Sequence, residues 1–169
     1  MELSPYVKQF IEKHIDLIDE NNYEDLYGCW CEELPGDSYE LFHSVYEALL
    51  SCDIDMLLYM DSIPNDFFCG YETSELIIPD NIVTLYYNAF RFCVFHSLVL
   101  PPSIKQVEGD IFEDACINEV KWLGSPKMHY HALRGVENGG VAEFNINKDS
   151  SVDLALKEFE NPPFEVIYI

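Results

Sequence analysis

The sequence predicts an α+β fold, in which an N-terminal helical bundle caps a short solenoid sheet and a mixed segment caps the other end. Three observations predict it. Apolar residues first recur at helical spacing, and two segments of 22 residues then match each other in register. The chain of 169 residues is also 49% apolar and 14% aromatic, so it can bury a core. We expect the three parts to span residues 1–73, 74–125 and 126–169.

The sequence pattern of the first part predicts four or five short amphipathic helices. Ser4-Pro5 is typical of a helix start, because Ser caps free backbone N–H groups and Pro is tolerated at the first helical position. Asn22 can cap a second helix, and Asp37 with Glu40 forms a capping box for a third. The later helices are expected at residues 23–31, 38–51 and 54–60, with a further helical turn at 63–68.

The second part contains the repeat. The segments LIIPDNIVTLYYNAFRFCVFHS (76–97) and LVLPPSIKQVEGDIFEDACINE (98–119) place similar residues 22 positions apart. The matching pairs are Leu76 and Leu98, Ile78 and Leu100, Pro79 and Pro101, Ile82 and Ile104, Leu85 and Val107, and Phe90 and Phe112. A third copy begins at Val120 and is then lost. Segments of this length with one short apolar strand each stack into a solenoid.

Strand alternation predicts which residues point into the core. The inward set is Leu76, Ile78, Leu98, Leu100, Val120 and Trp122. The open face of the sheet then carries Glu75, Ile77, Ser97, Val99, Glu119 and Lys121. Cys93 and Cys116 lie one position out of register, which predicts a one-residue shift in the second turn. In the third part, residues 141–146 and 164–169 are expected as strands and 151–159 as a short helix, together capping the solenoid.

The segments IPDNIVTLYYNAFRFC (78–93) and LPPSIKQVEGDIFEDAC (100–116) resemble the BspA-type leucine-rich repeat. Its usual turn reads IP-x-x-V-x-x-I-x-x-x-A-F-x-x-C, and the likeness covers residues 74–124. The segments FIEKHIDLIDENNYEDLY (10–27) and LLYMDSIPNDFF (57–68) are similar to helical leaders on such repeats in phage and bacterial proteins. The resemblance implies a leucine-rich-repeat solenoid that binds partners and does not catalyse. It also implies that Cys93 and Cys116 pack inside the turns.

The charge is large and uneven. The net charge is −22, and residues 1–75 hold eighteen acidic residues against Lys8 and Lys13. Such a chain repels phosphates, so we expect no direct binding to nucleic acid or to anionic membranes, and we expect a partner with a basic surface. The start of the chain carries charges where a secretory signal has an apolar run. We therefore predict a cytoplasmic protein with six reduced cysteines.

Candidate catalytic and metal-binding groups are sparse. Cys29 and Cys31, with His43 downstream, are the nearest approach to a zinc site, but a second close pair of ligands is missing. We interpret them as core residues. His129 and His131 could share one side of a loop, although two imidazoles alone hold a metal weakly. We predict no cofactor and no enzymatic activity, because a nucleophile with a nearby base is not evident.

Two functions remain open. In the first, the chain is a phage or mobile-element inhibitor of a host nucleic-acid-binding protein, for example a CRISPR effector, and its acidic surface imitates nucleic acid. The expected contact residues are Asp16, Asp19, Glu20, Glu24 and Asp25. In the second, the chain is a structural or adhesion-type repeat module, and the contacts lie on the sheet face at Glu75, Ile77, Val99, Glu119 and Lys121. The acidic residues then form an ordinary solvated face.

Overall fold

The computed structural model describes residues 4–14, 22–34, 36, 39–50, 54–138, 140–160 and 162–169. The chain divides into two compact units, Met1–Asp61 and Ser62–Ile169. The second unit is a solenoid-like stack of parallel strands, so the chain is a mixed α+β protein, as the sequence predicts. The role of the helices as a cap on that stack stays a prediction.

The first unit contains three α-helices and a short 3-10 helix. Their bounds are Pro5–Lys13 (α1), Tyr23–Glu33 (α2), Tyr39–Leu50 (α3) and Ile54–Tyr59 for the 3-10 helix. The Ser4 hydroxyl accepts a hydrogen bond from the Val7 N–H at 3.3 Å, which confirms the predicted cap. Asn22 precedes α2 but makes no side-chain cap bond. Asp37, which was predicted to form a capping box with Glu40, lies outside the described residues.

Aromatic rings hold these helices together. Trp30 of α2 is 1% exposed and meets Phe10 of α1 and Phe42 of α3 edge-on, at centroid distances of 5.1 and 5.3 Å. Edge-to-face pairs of this kind add to the free energy gained from burying the rings. At the end of α1, Lys13 Nζ and His14 Nε2 both contact Glu33 Oε1, at 2.7 and 2.8 Å.

The second unit is built from two parallel sheets. The short sheet contains Ser62–Ile63 (β1), Thr84–Leu85 (β3), Gln106–Val107 (β5) and Lys127–Met128 (β7). The long sheet contains Glu72–Ile77 (β2), Val94–Leu100 (β4), Cys116–Trp122 (β6), Val141–Ile146 (β8) and Glu165–Tyr168 (β9), in that order. Each of the first four turns therefore supplies one short strand and one long strand. A short helix, Ser151–Leu156 (α4), precedes β9.

The register of the long sheet confirms the predicted core. Leu76 pairs with Leu98, and Leu98 pairs with Val120, so equivalent residues 22 positions apart lie side by side. All three are fully buried, as are Leu100 and Trp122. Phe68, Phe90 and Phe112 form a stack inside the turns, with centroid distances of 5.5 and 5.8 Å. We call these three residues the phenylalanine ladder.

The turns repeat the same backbone conformation. Asp66, Asn88 and Asp110 have φ values of 54°, 58° and 53°, and Gly70, Phe92 and Asp114 have values of 72°, 55° and 51°. Both sets recur at the 22-residue spacing. Asn, Asp and Gly tolerate this left-handed region better than other residues do, which explains five of the six choices. Phe92 is the exception.

The first turn of the solenoid lies earlier than the sequence pattern indicates. Residues 63–68 were expected to form a helical turn, and that expectation is wrong. Ser62–Ile63 is strand β1, paired with β3, and a turn follows it. A helix cannot pass through Asp66, because its φ of 54° is left-handed. Phe68 instead occupies the position of Phe90 one turn later.

The expected one-residue shift in the second turn is also wrong. Val94 pairs with Cys116, so the 22-residue register continues through both turns. At this spacing Ala115, and not Cys116, is the counterpart of Cys93, and both side chains are buried. Cys93 is fully buried, whereas Cys116 is exposed and does not pack inside the turn.

The solenoid continues beyond the point where its sequence pattern fades. Strands β7 and β8 form a further turn, in which Ile117 pairs with Val141 and Gln106 with Lys127. The spacing is therefore 24 residues in the long sheet and 21 in the short sheet. A 3-10 helix at Arg134–Asn138 takes up the difference. A Cβ on Gly135 would lie 2.7 Å from the backbone of Glu113, so only glycine allows this close approach.

Candidate interaction surfaces

The open face of the long sheet, which points away from the core, presents two rows of side chains. The acidic row is formed by Glu75, Glu119, Glu143 and Glu165, with Ser97 on the strand between the first two. The second row, two residues further along each strand, is Ile77, Val99, Lys121, Asn145 and Ile167. Neighbouring members of a row are about 4.8 Å apart, because that is the spacing of strands in a sheet.

The acidic row combines exposed and partly covered carboxylates. Glu75 and Glu165, at the two edges, are exposed, and Glu119 and Glu143 are half-buried. The Asn145 amide donates hydrogen bonds to Glu119 Oε1 at 2.9 Å and to Glu143 Oε1 at 2.6 Å. Like charges on adjacent strands repel, so a shared donor lowers the cost of holding them side by side. Asn145 is thereby fixed in the middle of the face.

The second row is mainly apolar. Ile77 is 55% exposed and Ile167 is 42% exposed, although both lie on regular strands. Val99 and Lys121 are half-buried. A third short row precedes the acidic row, where Asn118 and His96 are joined at 2.9 Å between Nδ2 and Nδ1. The structure thus places Glu75, Ile77, Val99, Glu119 and Lys121 together on one face, and Glu143, Asn145, Glu165 and Ile167 extend it.

These four additional residues were missed in the sequence. They lie where the repeat spacing changes, so a fixed 22-residue register does not reach them. The alternating pattern of VAEFNI (141–146) and FEVIYI (164–169) was the available signal, because it marks Glu143 and Glu165 as outward residues of two more strands.

The acidic residues predicted as contacts in the first part of the chain are described only in part. Glu24 and Asp25 lie in the first turn of α2 and are exposed. Carboxylates at this end of a helix interact favourably with its dipole, so their position has a structural reason as well. Asp16, Asp19 and Glu20 lie outside the described residues.

The candidate zinc residues lie on two helices. Cys29 and Cys31 are in α2, where Cys29 is half-buried and Cys31 is exposed, so the interpretation of the pair as core residues is wrong. His43 in α3 stacks on Tyr39 with ring centroids 5.9 Å apart. Within the described part of the chain, no group of three or more His, Cys, Asp or Glu residues is arranged to hold a metal ion. Tyr39 also accepts a hydrogen bond from the Tyr23 hydroxyl at 3.0 Å, and this contact raises the pKa of Tyr23 to about 12.

A groove of about 800 Å³ lies beside the two histidines of the fourth turn. Tyr130, which is 80% exposed, and His131 line one side, and Leu154, Glu158 and Phe159 line the other. The Tyr130 ring contacts those of His129 and His131, at centroid distances of 4.4 and 3.8 Å. The volume is that of a small-molecule or short-peptide site. The sequence placed the histidines on a surface loop, and it gave no signal that α4 would face them.

Searches with this chain find no matching family model, no matching curated protein and no matching solved structure. Among the described residues, none of the helices combines the length and the apolar character needed to cross a membrane.

Proposed function

We propose that this protein is a non-catalytic binding module that holds a protein partner with a basic surface against the open face of its long sheet. One observation carries the proposal: the acidic row runs beside a second row that contains exposed isoleucines, on five parallel strands in continuous register. A sheet face that meets only water is mainly polar. Exposed apolar side chains next to charged ones are typical of interaction sites.

The charge supports a basic protein partner over nucleic acid. The chain carries 31 acidic residues against nine basic ones, and four carboxylates line the proposed face. Binding to phosphates requires their neutralisation by Lys and Arg, which this face supplies only at Lys121. A basic protein surface would be attracted to these carboxylates at a distance, and its charges would pair with them specifically on contact.

The test compares two matched charge changes in a capture experiment from the source cell. Glu119→Lys with Glu143→Lys alters the open face, and Glu24→Lys with Asp25→Lys makes the same charge change on α2. We expect the first pair to lose the captured protein and the second pair to keep it, because steering and contact both depend on the sheet face. Each variant must retain the thermal transition of the unchanged chain. Equal capture by both pairs would contradict the proposal.

A second candidate is an inhibitor, encoded by a phage or mobile element, of a host nucleic-acid-binding protein such as a CRISPR effector. The supporting observation is the excess of sixteen negative charges in residues 1–75, together with the exposure of Glu24 and Asp25. Under this function the α2 pair of substitutions abolishes capture, and added DNA or RNA competes with the protein. If neither nucleic acid nor the α2 pair of substitutions affects capture, the inhibitor function is contradicted. Binding through the sheet face, as in a structural or adhesion-type repeat module, would then be the remaining function.

A further inference from the structure

The spacing of the two rows restricts what kind of segment can bind them. The acidic row crosses five strands from β2 to β9, a distance of about 19 Å at a strand spacing of about 4.8 Å. Its carboxylates stand on the first, third, fourth and fifth strands. A bound segment that crosses the strands must therefore present cations at intervals of about 10, 5 and 5 Å.

A helix meets these intervals better than an extended chain does. In an extended chain, side chains on one side recur every ~6.6 Å. This spacing exceeds the strand spacing of about 4.8 Å by about 2 Å for each strand that is crossed. In a helix, one face recurs every ~5.4 Å, and the drift is about 0.6 Å per step. Over four strand intervals the total mismatch is about 2 Å for the helix and about 7 Å for the extended chain. The helix therefore asks for a smaller displacement of the Lys and Glu side chains, and we take it as the better fit.

The second row fits the adjacent stripe of the same helix. The two rows are two residues apart along each strand, or about 6.6 Å, which is less than the ~10 Å diameter of a helix with its side chains. Ile77 and Val99 at one end, and Ile167 at the other, offer apolar contacts. Lys121 lies between them on the middle strand, so the helix needs an acidic residue at that point.

We infer that the partner presents an amphipathic α-helix across the strands, with Lys or Arg at positions i, i+7, i+11 and i+14 over the acidic row, apolar residues over the second row, and one acidic residue over Lys121. This inference rests on the proposed function, because it names the segment that occupies the same face. It commits to a helical protein segment and not to an extended peptide or a nucleic acid.

A designed peptide of about four helical turns, with this pattern, tests the inference by fluorescence anisotropy. The control peptide keeps every residue that faces the two rows, but two central residues that face neither row are replaced by Pro. We expect the helical peptide to bind at least about tenfold more tightly, because Pro prevents the helical spacing without removing a charge. Equal affinity of the two peptides would overturn the inference.

Charge exchange identifies the contacts. Lys121→Glu should weaken the helical peptide about tenfold, and replacing the peptide's acidic residue by Lys should restore binding to this variant but not to the unchanged chain. Glu24→Lys, which lies on α2 and not on the long sheet, serves as the control and should leave the affinity within about twofold at moderate salt. Failure of the restoration would show that the peptide does not lie in the inferred register.

The experiments distinguish a failure of the proposed function from a failure of the helix inference. If Glu119→Lys with Glu143→Lys abolishes capture of the cellular partner while the helical and Pro-containing peptides bind equally, the face binds a partner and the helix inference is wrong. If these substitutions affect neither the capture nor the peptide, the proposed function itself is wrong.

Discussion

At the scale of single residues, Asp153 shows how a buried charge can fix the C-terminal end of the solenoid. Its carboxylate is 1% exposed. It accepts hydrogen bonds from Lys157 Nζ at 2.8 Å, from the Asp149 N–H at 2.6 Å and from the Tyr168 hydroxyl at 3.0 Å. The bond to Lys157 is the main reason that the pKa of Asp153 is lowered. One side chain therefore connects the turn before α4, the end of α4 and strand β9.

This network makes a prediction for the pH dependence of stability. Because the folded pKa of Asp153 lies below that of an unfolded aspartate, about 3.9, its contribution is present above that value and is lost as the pH falls through the folded pKa. Asp153→Asn should therefore lower the free energy of unfolding at pH 7, and the difference from the unchanged chain should shrink below about pH 4. Urea unfolding at several pH values measures this difference in the free energy of unfolding. Asp80→Asn, at an exposed position, is the control and should show no such convergence.

Cys93 and Cys116 look equivalent in the sequence but have different environments in the structure. Burial raises the pKa of Cys93 to about 12, and its thiol donates to the Phe90 carbonyl at 2.8 Å. The sequence treated Cys93 and Cys116 alike, because they occur at nearly the same point of the repeat. The strand register separates them, since it places Cys116 at the exposed start of β6.

We expect Cys93 to be the slowest of the described thiols to react in the folded protein. A short pulse of alkylating agent at pH 8 should label Cys31, Cys69 and Cys116, which are exposed, long before Cys93, because the thiolate is the reactive form. Mass spectrometry of the digested peptides gives the order in which the cysteines are alkylated. After unfolding without reductant, all six cysteines should be labelled if the protein comes from a reducing compartment. Early labelling of Cys93 would contradict its burial.

At the scale of elements, the sequence was informative where the spacing was regular. Two copies in register located β2, β4 and β6 and their inward residues, and Ser4 with Pro5 located the start of α1. The first and fourth turns were not evident. In the first, Asp66, Asn88 and Asp110 share a left-handed conformation that a search for apolar periodicity does not detect. In the fourth, the strand spacing changes because Arg134–Asn138 adds a 3-10 helix. The extent of the open face was therefore underestimated.

The phenylalanine ladder provides a test of whether the first turn belongs to the same folding unit. Phe68, Phe90 and Phe112 are each 0% exposed. Replacing any one of them by Ala should cost about 3–5 kcal/mol of unfolding free energy, because each leaves a cavity between its neighbours. The exposed Phe92 is the matched control. Chemical denaturation followed by circular dichroism measures these effects, and a small cost at Phe68 alone would place the first turn outside the cooperative unit.

At the scale of the whole molecule, charge is the dominant feature. With a net charge of −22, the chain carries a self-repulsion that opposes the compact state. Several described basic residues are used in local pairs, such as Arg91 with Glu113 at 2.9 Å and Lys13 with Glu33 at 2.7 Å. Such exposed pairs contribute little individually, so they do not offset the repulsion. The excess charge is a cost to folding that binding to a basic partner would reduce.

Salt should therefore stabilise the free protein. Raising sodium chloride from about 10 to 200 mM shortens the screening length from roughly 30 to 7 Å, so the midpoint of thermal unfolding should rise. Scanning calorimetry or circular dichroism gives the midpoint, and potassium chloride should act equally if screening is the cause. The same increase in salt should weaken binding to the designed basic peptide. A midpoint that falls with salt would mean that attractive pairs outweigh the repulsion.

The constant register of the first three turns also bears on how the length of this chain could change. Equivalent residues of these turns pair 22 positions apart in both sheets, and the left-handed residues follow the same interval. We expect an in-frame duplication of residues 84–105 to insert one more layer whose neighbours on both sides already fit it. A duplication of residues 127–146 would not fit, because the short and long strands of that turn are offset by different amounts. Such a protein could gain layers in its interior, but not next to its last turn.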